Sequence, residues 1–503
     1  MRRDKFYKRL FEIIPGFLTW STIIGLFALA FVKPLWVAIF VITFDLYWVI
    51  RMTYLSLLML FAYRRLAKER NLDWLKKCES LKSMKGLAPG DIYHAVLFPV
   101  YKEGPDILKP SIESLEGARY PKEKMIVILS VEERAGPEAW DNALALKKEH
   151  QGNFRHFLVT SHPQDLPGEI KAKGANATWG AKALRNYLDS GKIDYEHVVI
   201  SCFDADTCVD REYFGCLTYH YIISPDRTRS SYQPIPVYNN NIWHARSIAR
   251  LLELGSSFMQ MIETMRVEKF VTFSSHSMSF KTLVDVDYWP LDMISDDSVI
   301  YWKCFLHFNG RYSVVPIYVT VSMDVATEAR ILPTIVKQYK QKRRWAWGVE
   351  NFPYIAVGFM HNKKIPLIVK VRRSFNVLES HYTWAVWAVI VTFVAPLPII
   401  FGGGLFRQTS IGYNLPSVSA TLLDMSLFTM LICIFVSMKL LPPRPPDVKK
   451  QKRLIMYAQW IMAPLVLTLL GSAPAIDAQT RLMLGKYMHF QVTEKKRRPK
   501  NKI

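Results

Sequence analysis

Two aspartates separated by one residue follow an apolar run that has the composition of a buried strand. The run covers 197–203, and Asp204 and Asp206 come directly after it. Carboxylates at positions i and i+2 of a strand end can share one hard divalent cation, which in turn can bridge a diphosphate. A polar turn would carry the same residues, so the triplet alone leaves both interpretations open.

A second acidic cluster, Ser295-Asp296-Asp297, precedes an apolar, helix-like run at 298–308. These carboxylates could act in catalysis. Acidic residues are also favoured at any helix N-terminus, because they interact with the helix dipole. Both interpretations therefore remain open for this cluster as well.

Amide, cationic and aromatic side chains lie together in the short helical stretch 341–347, QKRRWAW. Arg344 offers a planar fork of hydrogen-bond donors, and Trp345 offers a flat apolar face. The same composition suits a basic amphipathic helix on anionic lipid, with the tryptophans at the interface.

The elements that must position these residues alternate in type between residues 94 and 233. Short apolar runs predict strands at 94–100, 125–131, 154–159 and 197–203, and the segments 107–115, 138–149 and 177–190 have helical patterns. This alternation predicts an α/β fold with a largely parallel sheet, whose ligands bind at the carboxyl ends of the strands. Polar residues that follow the strands, or form a later basic and amide cluster, are Pro99-Val100-Tyr101-Lys102-Glu103, Glu132-Glu133 and Lys171–Asn176.

Membrane-spanning segments are predicted at both ends of the chain. Half of the 503 residues are hydrophobic, 21% are charged, and the mean hydropathy is +0.06, as expected for membrane spans joined to a water-facing domain. Apolar runs long enough to cross a bilayer cover 13–32, 35–63, 380–406, 418–438 and 454–476. Asp45 and Arg51 interrupt the second run six positions apart, so they do not share a helix face, and Arg51 is expected to reach the interface.

The basic residues predict the orientation of these spans. Arg2, Arg3 and Lys5 precede the first span and Arg64 and Arg65 follow the second, which places the central domain in the cytoplasm. Three full C-terminal crossings would leave the basic tail 495–498 outside, against the positive-inside rule. We therefore expect one C-terminal apolar segment to be re-entrant or interfacial.

The net charge of +22 suits an anionic membrane, a phosphate-bearing substrate or a nucleic acid. The basic residues concentrate at the membrane edges and form no aromatic–basic module, so a nucleic-acid partner is not expected. The six cysteines form no CxxC pair, which predicts neither a disulfide framework nor a zinc site. His276, in the segment 274–277, is expected to be structural rather than catalytic.

Taken in order, these motifs resemble those of the family 2 glycosyltransferases, in particular the membrane-integrated branch of cellulose, chitin and hyaluronan synthases. The resemblance covers roughly 90–350, and the tail 490–495, FQVTEK, is similar to the gating-loop motif of cellulose synthases. It implies a GT-A-type, Rossmann-like cytoplasmic domain between the N-terminal and C-terminal transmembrane helices.

The resemblance also implies a role for each motif. Asp297 matches the catalytic base, although Ser295 and Asp296 replace the family's Thr and Glu. Gln341, Arg344 and Trp345 match Q-x-x-R-W, which contacts the diphosphate and the acceptor. Donor-nucleotide residues would be Pro99, Tyr101, Glu103, Glu132, Lys173, Asn176 and Asp204, and Asp204 and Asp206 would hold Mg²⁺ or Mn²⁺. Glu132 stands where the family has an aspartate, so the nucleotide is left open.

These roles predict an inverting hexosyltransferase that moves a sugar from a nucleotide-diphosphate donor, such as a UDP-sugar, to a glycan hydroxyl and forms a β-linkage. Processive polysaccharide synthesis at a bacterial-type inner or plasma membrane is the leading hypothesis. The alternatives are transfer of one sugar to a lipid or lipid-linked acceptor and, from another class, a non-catalytic membrane scaffold. The expected regions are a transmembrane hairpin (1–65), the glycosyltransferase domain (66–330), interfacial helices (331–375), transmembrane helices (376–480) and a basic cytoplasmic tail (481–503).

Overall fold

The computed structural model describes residues 2–81 and 86–488 of the chain. The gating-loop-like tail at 490–495 therefore lies outside the described residues. The strands β1 to β8 are Tyr93–Val100, Met125–Glu132, His156–His162, Val198–Cys202, Cys208–Val209, Ser230–Tyr238, Ser277–Ser279 and Ser313–Met323.

The helices form three groups along the chain. Helices α1 and α2, before the sheet, are Arg2–Val32 and Pro34–Glu69. Helices α3 to α12 are Trp74–Glu79, Pro105–Gly117, Pro137–His150, Lys173–Ser190, Tyr213–Ile223, Ser247–Thr264, Phe280–Asp285, Asp296–His307, Ile331–Ala346 and Asn351–His361. Helices α13 to α19 are Leu367–Val389, Leu397–Phe401, Gly403–Arg407, Ser410–Lys439, Lys452–Ala458, Ala463–Leu467 and Ala473–Met483.

The described strands form one mixed sheet in the order β3-β2-β1-β4-β7-β6-β8-β5. Strands β3, β2, β1 and β4 are parallel, as in a Rossmann-like half, and correspond to the four predicted strands. The sheet continues through antiparallel pairs of β7 with β4 and β6, and of β5 with β8. The predicted α/β, GT-A-type fold between apolar helical regions is therefore confirmed.

A glycine allows α6 to lie close against the parallel half of the sheet. A Cβ added to Gly180 would lie 2.5 Å from Leu97 Cδ1 and 2.9 Å from Ser130 Cβ. Leu97 is on β1 and Ser130 on β2, so a side chain here would push the helix off both strands. This contact matters for the site, because the first residue of α6 is Lys173.

Within the described residues, five helical segments are long and apolar enough to cross a membrane: Arg3–Val32, Pro34–Glu69, Leu367–Phe401, Ser410–Lys439 and Lys452–Met483. They correspond to the five runs expected from the sequence. Helices α2 and α16 pack along each other, and Ser419 donates a hydrogen bond of 2.9 Å to the buried carboxylate of Asp45.

Arg51 is paired within the protein, and its expected reach to the membrane interface stays a prediction. Its guanidinium contacts Glu379 Oε1 on α13 at 2.5 Å and lies 5.5 Å from the Trp48 ring centroid. A carboxylate from another helix therefore pairs this cation, and no local pattern indicates the pairing because the partners are far apart in the chain.

Both ends of the Lys452–Met483 segment contact the side of the helical bundle that carries the α/β domain. Near its start, Gln459 accepts a hydrogen bond of 2.8 Å from Arg250 on α8. At its end, the carbonyl oxygen of Leu482 accepts one of 2.8 Å from Arg9, near the start of α1. That part of α1 adjoins the domain side, because Asp4 pairs with His361 at 2.9 Å.

Between these ends, Thr468 contacts Thr392 at 3.4 Å, and Ile461, Leu465 and Leu469 expose 52–81% of their surface on one face. This apolar face suits contact with lipid. The segment thus returns to the side from which it starts, which favours the re-entrant or interfacial alternative expected from the charge pattern.

Candidate active site

The first carboxylate of the D-x-D triplet lies just beyond the end of β4. Lys173 Nζ lies 2.8 Å from Asp204 Oδ1, and Ser274 donates a hydrogen bond of 2.7 Å to Asp204 Oδ2. The side chain keeps 30% of its surface exposed. Asp204 is therefore oriented by two partners and still accessible to a ligand.

One ammonium group joins two of the predicted acidic residues. Lys173 Nζ lies 2.8 Å from Asp297 Oδ1, the same distance as from Asp204 Oδ1. Burial lowers the pKa of Lys173, but the carboxylates of Asp204 and Asp297 outweigh this effect and hold the pKa well above its ordinary value. The ammonium therefore stays charged and links the end of β4 to the start of α10.

Asp296, beside Asp297 in the first turn of α10, has a different environment. It is 3% exposed, and its Oδ2 has no hydrogen-bond partner among the described residues. Burial and the neighbouring Asp297 charge raise the pKa of Asp296 to about 8. A Cβ on Gly174 would lie 3.0 Å from Asp296 Cβ, so the absence of a side chain there lets α6 approach α10. At neutral pH the cluster thus contains a neutral carboxyl beside Asp297.

The second carboxylate of the triplet is buried. Asp206 is fully enclosed, and its Oδ2 accepts a hydrogen bond of 2.6 Å from the Asp324 backbone N–H just after β8. Asn240 donates to the Asp206 carbonyl oxygen at 3.0 Å. These contacts fix the turn that presents Asp204.

The carboxylate oxygens of Asp204 are hard ligands that suit a Mg²⁺ or Mn²⁺ ion and stay accessible, whereas Asp206 is enclosed and its Oδ2 already accepts a hydrogen bond. No group of three or more His, Cys, Asp or Glu residues in the described ranges forms a metal-binding cluster. Mg²⁺ is commonly held by one or two carboxylates, with phosphate oxygens and waters as its other ligands. The donor set therefore fits a cation that binds together with a diphosphate.

Helix α11 brings the Q-x-x-R-W residues to the same region. The positive charge of Arg344 acts on the Asp296 carboxyl, and Gln341 is buried, with an Oε1 that lacks a hydrogen-bond partner in the described chain. The Trp345 ring lies 5.7 Å, centroid to centroid, from the Tyr238 ring.

Tyr238, at the end of β6, connects Trp345 to the acidic residues. Burial raises the pKa of Tyr238 well above its ordinary value, and the charges of Glu253, Asp204, Asp206 and Asp297 raise it further. Sequence reasoning did not identify Tyr238, because β6 contains two prolines and does not alternate in polarity.

Two clamps hold α11 on different faces. On one face, Lys342 Nζ lies 3.1 Å from the buried Glu253 of α8 and 3.8 Å from the Trp345 ring centroid. On the other, Asp477 of α19 accepts hydrogen bonds from Arg343 at 2.9 Å and Tyr339 at 3.2 Å. Glu253 and Asp477 were not identified from the sequence, because each lies in a helix far from any motif.

The residues predicted to bind the nucleoside lie at the carboxyl ends of β1 and β2. Asn176 Nδ2 donates to the carbonyl oxygens of Val100 at 3.2 Å and Ser130 at 2.8 Å, so it joins the two strands. Glu103 Oε2 accepts a hydrogen bond of 2.7 Å from the Tyr101 N–H, and Pro99 lies on β1 opposite Ser130.

Glu132 is buried and paired with Arg134, whose guanidinium lies 4.5 Å from the Tyr101 ring centroid. Arg134 was not singled out from the sequence. It stands two residues after Glu132, the spacing that allows the pair to form across a single turn.

His276 lies in the core beneath the site. It is fully buried, and its Nδ1 lies 3.0 Å from the Phe273 carbonyl oxygen. Burial lowers the pKa of His276, which keeps the ring neutral at pH 7. These contacts agree with the structural role expected from the sequence.

The structure therefore unites Asp204, Lys173 and Asp297 by direct contact, and adds Asp296 and Arg344 through their charges. Trp345 adjoins this group through Tyr238. The nucleoside residues lie further along the same strand ends, with Asn176 on the helix that begins at Lys173.

Comparison with known proteins finds one family model that is similar to part of the chain. Residues 199–441 match the family model described as Glycosyl transferase family group 2. The matched region includes both acidic motifs and all of α11. No curated protein matches the chain.

Among solved structures, the chain resembles the mannosyltransferase PcManGT from Pyrobaculum calidifontis in complex with GDP-Man and Mn²⁺. The identity is 14% and the TM-score 0.40, over 86% of this chain and 100% of the other. It also resembles S. aureus TarS 1-349 in complex with UDP-GlcNAc, with 13% identity and a TM-score of 0.37, over 80% and 94% of the two chains. With identities and TM-scores this low, the ligands bound by the two proteins do not identify the ligands of this chain.

Proposed function

We propose that the protein is a membrane-integrated glycosyltransferase that moves a sugar from a nucleoside diphosphate donor to an acceptor hydroxyl. One observation carries the proposal: Lys173 contacts Asp204 and Asp297 at 2.8 Å each, so the acidic turn after β4 and the candidate base lie on the same ammonium group. The family match over 199–441 supports the same reaction class.

In this proposal, Asp297 accepts the proton of the acceptor hydroxyl as the oxygen attacks the anomeric carbon. A positioned general base contributes about 10²–10⁴-fold to such a step. A single displacement inverts the anomeric centre, so an α-linked donor gives a β-linked product. Asp297 is the more exposed member of the pair, so it is the one that an acceptor hydroxyl can reach.

The leaving diphosphate develops negative charge, which Lys173 and Arg344 are placed to stabilise. A divalent cation held by Asp204 and Asp206 would supply further charge neutralisation when bound. Trp345 lies beside Tyr238 and Lys342 and is only partly buried, and in this proposal its exposed part contacts the acceptor sugar.

The finer parts of the proposal concern substrates and product. We favour a UDP-sugar donor and processive synthesis of a β-linked glycan, as in the cellulose, chitin and hyaluronan synthase branch. Transfer of a single sugar to a lipid-linked hydroxyl is the alternative. The site faces the cytoplasm in this proposal, where nucleotide sugars are made.

The test is a screen of nucleotide sugars with the purified full-length protein in the presence of Mg²⁺ or Mn²⁺. Asp297→Asn keeps the shape of the side chain but removes the base, so transfer should fall about 10²–10⁴-fold while donor binding is largely kept. Asp285→Asn, at a surface residue paired with Lys281, is the matched control and should retain full activity.

Full transfer by Asp297→Asn would remove this residue from the mechanism, and unchanged turnover in a chelator would reject the cation. Product analysis separates the acceptor hypotheses: a ladder of lengths supports polymerisation, and a single-sugar lipid supports the alternative. Absence of transfer from every donor would reject the function itself.

A further inference from the structure

Asp477 is an acidic residue inside an apolar segment, and it contacts the helix that carries part of the candidate site. Its Oδ2 accepts hydrogen bonds from Arg343 at 2.9 Å and from Tyr339 at 3.2 Å, both on α11. Its Oδ1 accepts one from Arg481, a turn further along α19, at 2.6 Å. The carboxylate therefore ties two helices together and is satisfied on both oxygens.

Helix α11 is clamped by two elements, α19 and α8, at positions about 100° apart around its axis. Tyr339 and Arg343, four residues apart, face Asp477, and Gln338 and Lys342, also four apart, face Glu253 on α8. The same two turns of α11 also carry Gln341, Arg344 and Trp345. Movement of α11 at the Asp477 contact would thus carry all three candidate site residues with it.

The surroundings of Asp477 indicate that its contact with α11 is not incidental. An ionisable group within an apolar segment is costly unless it is paired, and such groups commonly serve a function. Asp477 is 23% exposed and lies between two guanidinium groups, one on α11 and one on its own helix. If Asp477 lost its charge, the partly buried guanidinium of Arg343 would lose the carboxylate that pairs with it, which is destabilising.

We propose that Asp477 is a positioning residue for sugar transfer: it holds α11 against the Lys452–Met483 segment, so that Gln341, Arg344 and Trp345 keep their place beside the donor. This inference rests on the proposed function. It adds that one residue of the returning C-terminal segment, Asp477, acts on the site through α11.

The expected signature is a loss of turnover with little loss of donor affinity. Misplacement of reacting groups by about 1 Å can cost roughly 100-fold in rate, and loss of an orienting contact typically costs about 10- to 100-fold. Asp477→Asn should therefore lower kcat for transfer about 10- to 100-fold and change the donor KM by less than about threefold.

Arg481→Gln is the matched control, because Arg481 also binds Asp477 but contacts no residue of α11 through that bond. It should leave kcat within about twofold of the wild type. Arg343→Gln breaks the same contact from the other side, and the double variant Asp477→Asn/Arg343→Gln should be no slower than the slower single variant.

Hydrogen–deuterium exchange of the full-length protein gives a readout that does not depend on activity. In Asp477→Asn and Arg343→Gln, exchange should rise at 331–346 and remain unchanged elsewhere in the α/β domain. If no donor supports transfer even by the wild type, the proposed function fails, while this measurement still shows whether Asp477 holds α11.

Three results would overturn the inference. The first is wild-type kcat in Asp477→Asn, and the second is an equal loss in Arg481→Gln. The third is exchange that rises throughout the domain, which would indicate a general structural role. If Asp477→Asn fails to fold, the Arg343→Gln variant tests the inference on its own. A wild-type kcat in Arg343→Gln would then overturn the inference.

Discussion

At the scale of single residues, the balance of charge around Lys173 decides what the cleft can bind. The carboxylates of Asp204 and Asp297 lie beside Lys173, and the charge of Arg344 acts on Asp296 in the same cluster. A nucleoside diphosphate adds further negative charge to this group. We therefore expect donor binding to require a cation, and the accessible hard oxygens of Asp204 are suited to contact it.

The raised pKa of Asp296 leads to a pH prediction. Because the folded pKa is about 8 and the ordinary value is 3.8, the folded protein keeps a proton that the unfolded chain releases above about pH 4. Stability should therefore fall as the pH rises from about 4 to about 8, by up to about 1.4 kcal/mol per pH unit.

In the Asp296→Asn variant, the side chain at position 296 cannot ionise. This variant should therefore not show the fall in folding stability that Asp296 causes. Its free energy of unfolding relative to the wild type should increase from pH 5 to pH 8, as measured by thermal or denaturant unfolding in detergent. Parallel pH profiles for the two proteins would show that Asp296 is not buried as a neutral acid.

At the scale of elements, the site depends on how closely α6 lies on the sheet. Gly180→Ala places a Cβ 2.5 Å from Leu97 Cδ1 and 2.9 Å from Ser130 Cβ, so the variant should be destabilised by about 1–3 kcal/mol. Lys173 begins the same helix and should be displaced with it, so the rate of sugar transfer should fall.

Gly255→Ala is the control for helix propensity. Gly255 lies in α8, and no heavy atom lies within 4 Å of the place that an alanine methyl group would take, so alanine should leave stability unchanged or raise it slightly. An equal effect of both substitutions in unfolding measurements would contradict a packing role for Gly180.

The parallel half of the domain was predictable because β1 to β4 are apolar runs separated by amphipathic helices. The other half was not, since it mixes a parallel β6–β8 pair with antiparallel pairs of β5 and β7, and β5 and β7 have only two and three residues. Similarly, Asp204 and Asp297 stand in recognisable motifs, whereas Tyr238, Glu253 and Asp477 reach the site through tertiary packing that no local pattern reports.

At the scale of the whole molecule, the return of the Lys452–Met483 segment has a topological consequence that can be measured. Gln408, between the third and fourth apolar segments, should face the side opposite the domain, and Lys486 should face the domain side. Both residues are exposed. A cysteine at each position, in a cysteine-free background, would be labelled with a membrane-impermeant maleimide in intact cells and in inverted vesicles.

We expect Gln408→Cys to react in intact cells, and Lys486→Cys to react only in inverted vesicles, like the domain control Lys171→Cys. Reaction of Lys486→Cys from outside the cell would show that the last segment crosses the bilayer. That result would also separate Asp477 from the domain side and would remove the basis for its contact with α11.

The hydrogen bond between Ser419 and Asp45 fixes how the α2–α16 pair can respond to its surroundings. A slip of one helix past the other by a single turn, about 5.4 Å, would strand the carboxylate in hydrocarbon without its hydroxyl. When bilayer thickness changes, the two helices should therefore tilt as one body and keep their mutual register.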